Sequence, residues 1–209
     1  MVNVFREGNV KFLRRANRII NDPRYKECIQ RNAACEQTRR FCRHDLQHML
    51  DVARITYILV LEECTSGSGT VPGGHKDIYL LERLTGNELG TAQPATGVAD
   101  LLGQAREIIY AAGLLHDMAR WVEYETGEDH AVAGARMALE VLGRAAFNPA
   151  ERKIITTAIR EHRSGGPGAS PLGQLICRAD DLARPCSRCA ARDDCYKIDR
   201  METAGMLIY

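Results

Sequence analysis

The most chemically loaded position in the chain is a dipeptide. His116 and Asp117 stand side by side at the inner end of Tyr110–Arg120, a run whose first half is apolar or small. Burying an imidazole beside a carboxylate is costly unless something compensates both. A divalent first-row metal does so, because neutral imidazole and carboxylate are both its ligands. The pair alone says little, since His44-Asp45 repeats it. Other candidate ligands give it weight. His162 ends the stripe Ile154, Ala158, His162, His130 opens a stripe continued by Ala133, Met137 and Val141, and Asp180 closes the apolar stretch from Leu175. His44 and His48 are four residues apart and share a helix face. Polar ends of several apolar helices can meet at one point in a bundle, where metals are commonly housed. This mixture of donors suits Fe, Mn, Co, Ni or Zn better than Mg or Ca.

The elements that must position these residues read almost entirely as helix. Three starts pair a capping residue with proline: Asp22-Pro23, Asn148-Pro149 and Ser170-Pro171. Glu151 adds a capping box to the second. Helices are expected over Glu7–Asn21, Pro23–Cys35, Gln37–Glu63 (apolar face Phe41, Met49, Val52, Ile55, Tyr57, Leu59, Val60), Lys76–Leu84, Val98–Tyr124 with a break near His116, Asp129–Leu142, Pro149–Arg163 and Pro171–Ala183. No stretch alternates with period two, so no sheet is expected. Thr65–Gly74 is a glycine-rich linker or lid, with His75 beside it. It lacks the Lys-Ser/Thr ending of a phosphate-binding loop.

At 209 residues, with 28 Lys+Arg against 27 Asp+Glu, the chain is near neutral. Nothing in that balance suggests a basic nucleic-acid stripe or a polybasic membrane patch. The apolar runs are too short to span a bilayer, and the first twenty residues lack a signal-peptide core. A cytoplasmic protein with no nucleic-acid or membrane partner is expected, and a homo-oligomer is compatible.

Five elements, in order, resemble the HD superfamily of metal-dependent phosphohydrolases. They are His48-Met-Leu-Asp-Val-Ala53, Ala112-Gly-Leu-Leu-His-Asp-Met-Ala-Arg120, His130-Ala-Val-Ala-Gly-Ala135, Ala158-Ile-Arg-Glu-His162 and Arg178-Ala-Asp180. The last two, with Arg184, are most similar to the branch that hydrolyses dinucleoside polyphosphates. Met118-Ala119 departs from the Ile-Gly of many members. The resemblance implies an all-α HD-domain helical bundle, a single HD-type domain over 1–209 with core motifs in 41–184 and an extension over 185–209. It implies that His48, His116, Asp117 and Asp180 hold one metal, and that His130 and His162 complete a second site bridged by Asp117. Water on such a metal drops from a pKa of 15.7 towards about 7, giving hydroxide for attack on phosphorus. Arg120 and Arg184 are candidate phosphate clamps alongside Asp117, with ion pairing to a carboxylate as the other reading. The substrate expected is a small phosphorylated molecule, a nucleotide first. A diiron oxygenase and a non-catalytic nucleotide- or redox-sensing module are the alternatives. For His44, core packing is favoured over hydrogen bonding to a ligand. Tyr110, Trp121 and Tyr124 are more readily core residues than base-stacking ones.

The extension carries Cys186-x-x-Cys189-x5-Cys195, a metal-ligand spacing. Cys42 is the candidate fourth ligand, so that zinc or an iron–sulfur cluster would tether the tail to the His48 helix. Free thiols are the competing reading. Cys28, Cys35 and Cys42 recur every seven residues, as a core-facing stripe would.

Overall fold

A computed structural model describes residues 13–65, 76–86, 98–205 and 209. Its helices are α1 (Arg14–Asn21), α2 (Pro23–Cys35), α3 (Leu46–Thr65), α4 (Lys76–Thr85), α5 (Val98–Leu115), α6 (Arg120–Thr126), α7 (His130–Arg144), α8 (Pro149–Glu161) and α9 (Pro171–Leu182). Four short 3-10 turns follow, and no strand occurs among the described residues. The fold is all-α, and no described helix is long and apolar enough to cross a membrane.

The three proline starts form as their residues require. Asp22 accepts from the Arg24 and Tyr25 N–H groups, Ser170 from Gly173, and Asn148 and Glu151 make a reciprocal capping box. The expected helix over 37–63 is instead two pieces. Residues 37–45 are not helical, so His44 lies outside any helix and Phe41 is exposed. The reason is a cap that the apolar pattern concealed: Asp45 Oδ1 accepts the His48 N–H at 2.9 Å and starts α3 afresh. The seven-residue cysteine stripe fails with it. Cys28 is buried, but Cys35 ends α2 exposed and Cys42 lies in the connection. The early helix begins at Arg14 after Leu13. Its expected residues before 13, the glycine-rich stretch with His75, and residues 87–97 lie outside the described residues.

α3 packs against α4, α5 and α9, while α8 packs against α5, α7 and α9. Met49, Val60, Ile108, Leu114, Leu142, Ile155 and Ile176 are fully buried between them. Each such side chain contributes roughly 1.5–3 kcal/mol of burial. The α3–α5 approach depends on Gly113. A Cβ there would fall 2.6 Å from the Ala53 Cα, and beyond this close approach the His48 and His116 rings lie 5.5 Å apart.

Candidate metal centre

α5 stops at Leu115, and the chain turns through His116–Ala119 before α6. A buried amide from α2 holds that break. Asn32 Nδ2 donates to the Asp117 carbonyl at 2.9 Å, and Asn32 Oδ1 accepts the Trp121 N–H at 2.8 Å. One side chain thereby bonds both flanks of the break, at the Asp117 carbonyl, which also accepts the Arg120 N–H, and at the Trp121 N–H. His116 and Asp117 are consequently presented inward, 0% and 2% exposed.

Four neighbouring elements deliver the remaining candidates. His48 comes from the first turn of α3, Asp180 from the last turn of α9, His130 from the start of α7 and His162 from the end of α8. Asp129, which caps α7, takes a salt bridge from Arg163 beyond α8 and so draws those two helix ends together.

The imidazoles are oriented through their outer nitrogens. His116 Nδ1–H donates to the Gly113 carbonyl at 2.8 Å, His162 Nδ1–H to the Ile159 carbonyl at 2.7 Å, and His130 Nδ1–H to Glu123. With these nitrogens protonated, each Nε2 turns a lone pair inward, the arrangement that metal-ligating histidines use.

What those lone pairs face is telling. His130 Nε2 and His162 Nε2 are 3.3 Å apart. They lie 2.9 and 3.4 Å from Asp117 Oδ1. On the other side, His116 Nε2 is 3.3 Å from Asp117 Oδ2 and 3.8 Å from Asp180 Oδ1, which is 3.0 Å from His48 Nε2. Yet His48 Nε2, His116 Nε2 and Asp117 Oδ1 are buried without an aligned hydrogen bond. Close approach without alignment means that these atoms point at common centres rather than at one another. Two such centres emerge. His48, His116, Asp117 and Asp180 form one ligand group, and Asp117, His130 and His162 the other. Asp117 offers one oxygen to each. The donor set fits one or two divalent transition-metal ions.

The electrostatics demand positive charge here. Burial would push the Asp117 carboxyl up, but His116, His44 and His130 hold it well below the carboxylate range. Asp180 is likewise held low against burial, by Arg184, His116 and His48. Burial opposes a charge on His116, yet Asp117 and Asp180 raise it to about 10. His48 moves down, because burial outweighs Asp180 while Arg184 and His116 repel its charge. A proton on His116 therefore stands in for the cation that the carboxylates require.

Both candidate phosphate clamps are engaged by carboxylates. Arg184 Nη2 donates to Asp180 Oδ1 at 2.6 Å, and Arg120 Nη1 to Glu123 at 3.3 Å, lying 2.8 Å from His130 Nδ1. Three contributors escaped the sequence reading, the first being Glu123, which orients His130. Buried Glu36 accepts the His44 N–H at 2.7 Å, the His44 Nδ1–H, and the Tyr124 O–H at 2.7 Å. His44 then aims Nε2 at Asp117 Oδ2, 3.6 Å away. His44 is thus buried against a candidate ligand rather than in an apolar core, and Asn32 holds the turn. Neither Glu36 nor Asn32 lies in a motif, so only the folded contacts reveal them. Trp121 is buried under the Arg31 guanidinium. Among the described residues, Cys42, Cys186, Cys189 and Cys195 are not gathered into a single-ion ligand group.

An all-helical chain that converges histidines and carboxylates on a shared aspartate defines a metal-binding bundle. The particular family follows from comparison with known proteins. A sequence profile of the HD domain matches residues 88–184, which hold every candidate ligand except His48. An uncharacterized protein of Clostridium beijerinckii is 32% identical over 181 residues, 87% of this chain and 90% of that protein. Bifunctional uridylyltransferase/uridylyl-removing enzymes of Bradyrhizobium diazoefficiens and Nitrobacter winogradskyi are each 40% identical over 57 residues, 27% of this chain and 6% of theirs. No solved structure matches. The chain belongs to the HD domain family, a superfamily of metal-dependent phosphohydrolases.

Proposed function

We propose that this protein hydrolyses a phosphate ester or phosphoanhydride of a nucleotide or a small phosphorylated metabolite, as one HD-type domain working in the cytoplasm. The observation that carries this reading is Asp117, whose two oxygens face two histidine-rich groups. His48, His116, Asp117 and Asp180 would hold one ion, and Asp117, His130 and His162 a second. Bound there, the ions supply Lewis-acid polarisation of phosphoryl oxygens and activation of a water.

The chain's own residues do the rest. Glu123 and the Gly113 and Ile159 carbonyls fix the imidazole orientations, and Asn32 holds the turn that presents His116 and Asp117. Arg184, now paired to Asp180, and Arg120, now paired to Glu123 beside His130, would bind non-bridging phosphate oxygens by exchanging these carboxylates for the substrate. A nucleotide is favoured because Ala158–His162 and Ala179–Arg184 resemble the dinucleoside polyphosphate branch. The partial relatives, named for removing a uridylyl group, point to the same class of bond.

The test is metal analysis of anaerobically purified protein, followed by a phosphate-release screen over nucleotides and dinucleoside polyphosphates, with oxygen uptake measured in parallel. Metal-dependent phosphate release is expected. Oxygen uptake by iron-loaded protein without phosphate release would favour the diiron oxygenase instead.

A further inference from the structure

Beyond Leu182 the chain changes character. Residues 185–205 contain four three-residue 3-10 turns, Cys186–Arg188, Arg192–Asp194, Ile198–Arg200 and Glu202–Ala204. They are chained by bonds from the Cys189 N–H to the Cys186 carbonyl, Arg192 to Cys189, Cys195 to Arg192 and Ile198 to Cys195. Such turns have poor hydrogen-bond geometry and rarely persist unaided. In this stretch only Cys186, Ala191, Met201 and Thr203 are buried. Ordering a residue costs roughly 1–2 kcal/mol of backbone entropy. Three small or medium apolar side chains fall well short of that for a segment this long. Mini-folds of this kind are held by disulfides or metals, and these cysteines form no disulfide.

Three of the thiols share a space. Cys42, Cys186 and Cys189 line one cavity of about 330 Å³. Cys195 closes the second 3-10 turn, which packs on the first. Arg40, Arg43 and Arg184 also border the cavity with Asp45 and Asp51, Arg40 paired to Asp194 and Arg184 to Asp180, and the Arg184 guanidinium lies near the Cys42 thiol. Size then discriminates between occupants. Tetrahedral zinc, with Zn–S bonds of about 2.3 Å, draws its thiolates to roughly 3.8 Å of one another. The three thiols here do not all lie within 4.8 Å of one another, so the space suits a larger group.

We propose that Cys42, Cys186, Cys189 and Cys195 bind an iron–sulfur cluster, with its own ligands but beside the histidine–carboxylate centre, whose His48 lines the same cavity. Cys42 precedes the α3 segment bearing His48, and Cys186 follows Arg184 and Asp180. The cluster would therefore staple the tail across two of the strands of chain that supply the first ligand group.

The test uses the full chain purified without oxygen, assayed for iron, acid-labile sulfide, zinc and visible thiolate-to-iron absorption. Iron and sulfide are expected in equal amounts over the Asp117→Ala background, which keeps the cluster signature. Cys42→Ser and Cys189→Ser should lose the sulfide and the absorption, whereas Cys35→Ser, altered at an exposed thiol outside the cavity, should retain both. Native thiol counting on the unaltered protein guards against variants that fail to fold: four further thiols should become reactive when iron is stripped by a chelator. Zinc without sulfide, sulfide unchanged by the cysteine variants, or more than four of the eight thiols reactive before stripping would each overturn the proposal.

Discussion

The two ligand groups that meet at Asp117 are built differently. His130 and His162 sit at facing helix ends, both almost fully buried, each with its outer nitrogen already bound. His48, His116 and Asp180 come from elements far apart in the chain, and Asp180 is the more open member, with a side chain 18% exposed and paired to Arg184. The difference teaches where rigidity and access lie. The His130–His162 side is locked by local bonds, whereas the His48–Asp180 side depends on how α3, α5 and α9 pack, and it borders a cavity.

Asp117→Ala attacks what both sides share and should have the largest effect. Both ions should be lost and phosphate release should fall to the level of metal-free protein, with helical circular dichroism retained. Loss of a single ion would show that the carboxylate does not bridge.

Gly113→Ala strikes only the packing-dependent side. The added methyl meets the Ala53 backbone at 2.6 Å, and such overpacking costs about 1–3 kcal/mol. Thermal melting should fall accordingly, and metal titration should show the His48 group weakened more than the His130 group.

Glu36→Gln tests the support behind His44. Metal affinity should drop by less than the about 10–100-fold typical of residues that bond a ligand directly, because Glu36 acts on Asp117 only through His44. The variant also has a pH signature. Burial would raise the Glu36 carboxyl, but its bonds with His44 and Tyr124 lower it from 4.5 to about 2. Its stabilisation is therefore complete above pH 4.5 and fades as the pH falls towards 2. Metal-free protein should lose stability across that window, and Glu36→Gln should show a shallower slope.

His116 has the opposite sign. Raised from 6.5 to about 10, it stabilises fully below 6.5, and this contribution is lost as the pH rises through 10. Melting curves of metal-free protein should decline over that range, and added metal, which replaces the proton, should flatten the decline.

Tyr124→Phe is the mildest test. It removes one hydrogen bond to Glu36, for which roughly 0.5–1.5 kcal/mol is expected, with little change in metal content.

Much of this was legible in the residues themselves. Proline after a capping side chain fixes a helix start locally, so Asp22, Asn148 and Ser170 announced α2, α8 and α9. Apolar periodicity announced the all-α class, and ordered motifs announced the HD family. The start of α3 was not legible. Phe41 and the residues beyond Met49 continue an apolar pattern straight through a cap that exists only because Asp45 turns back on the His48 N–H.

Chain order by itself also determined which imidazoles and carboxylates were available to a metal. Tertiary structure alone decided that His44 faces Asp117 through Glu36, that Asn32 holds the broken helix, and that Arg184 lies between Asp180 and Cys42. The physical reason is distance along the chain. Asn32 and the backbone it satisfies are separated by 85 positions, and no local propensity encodes a contact whose partner arrives only when α2 packs on α6.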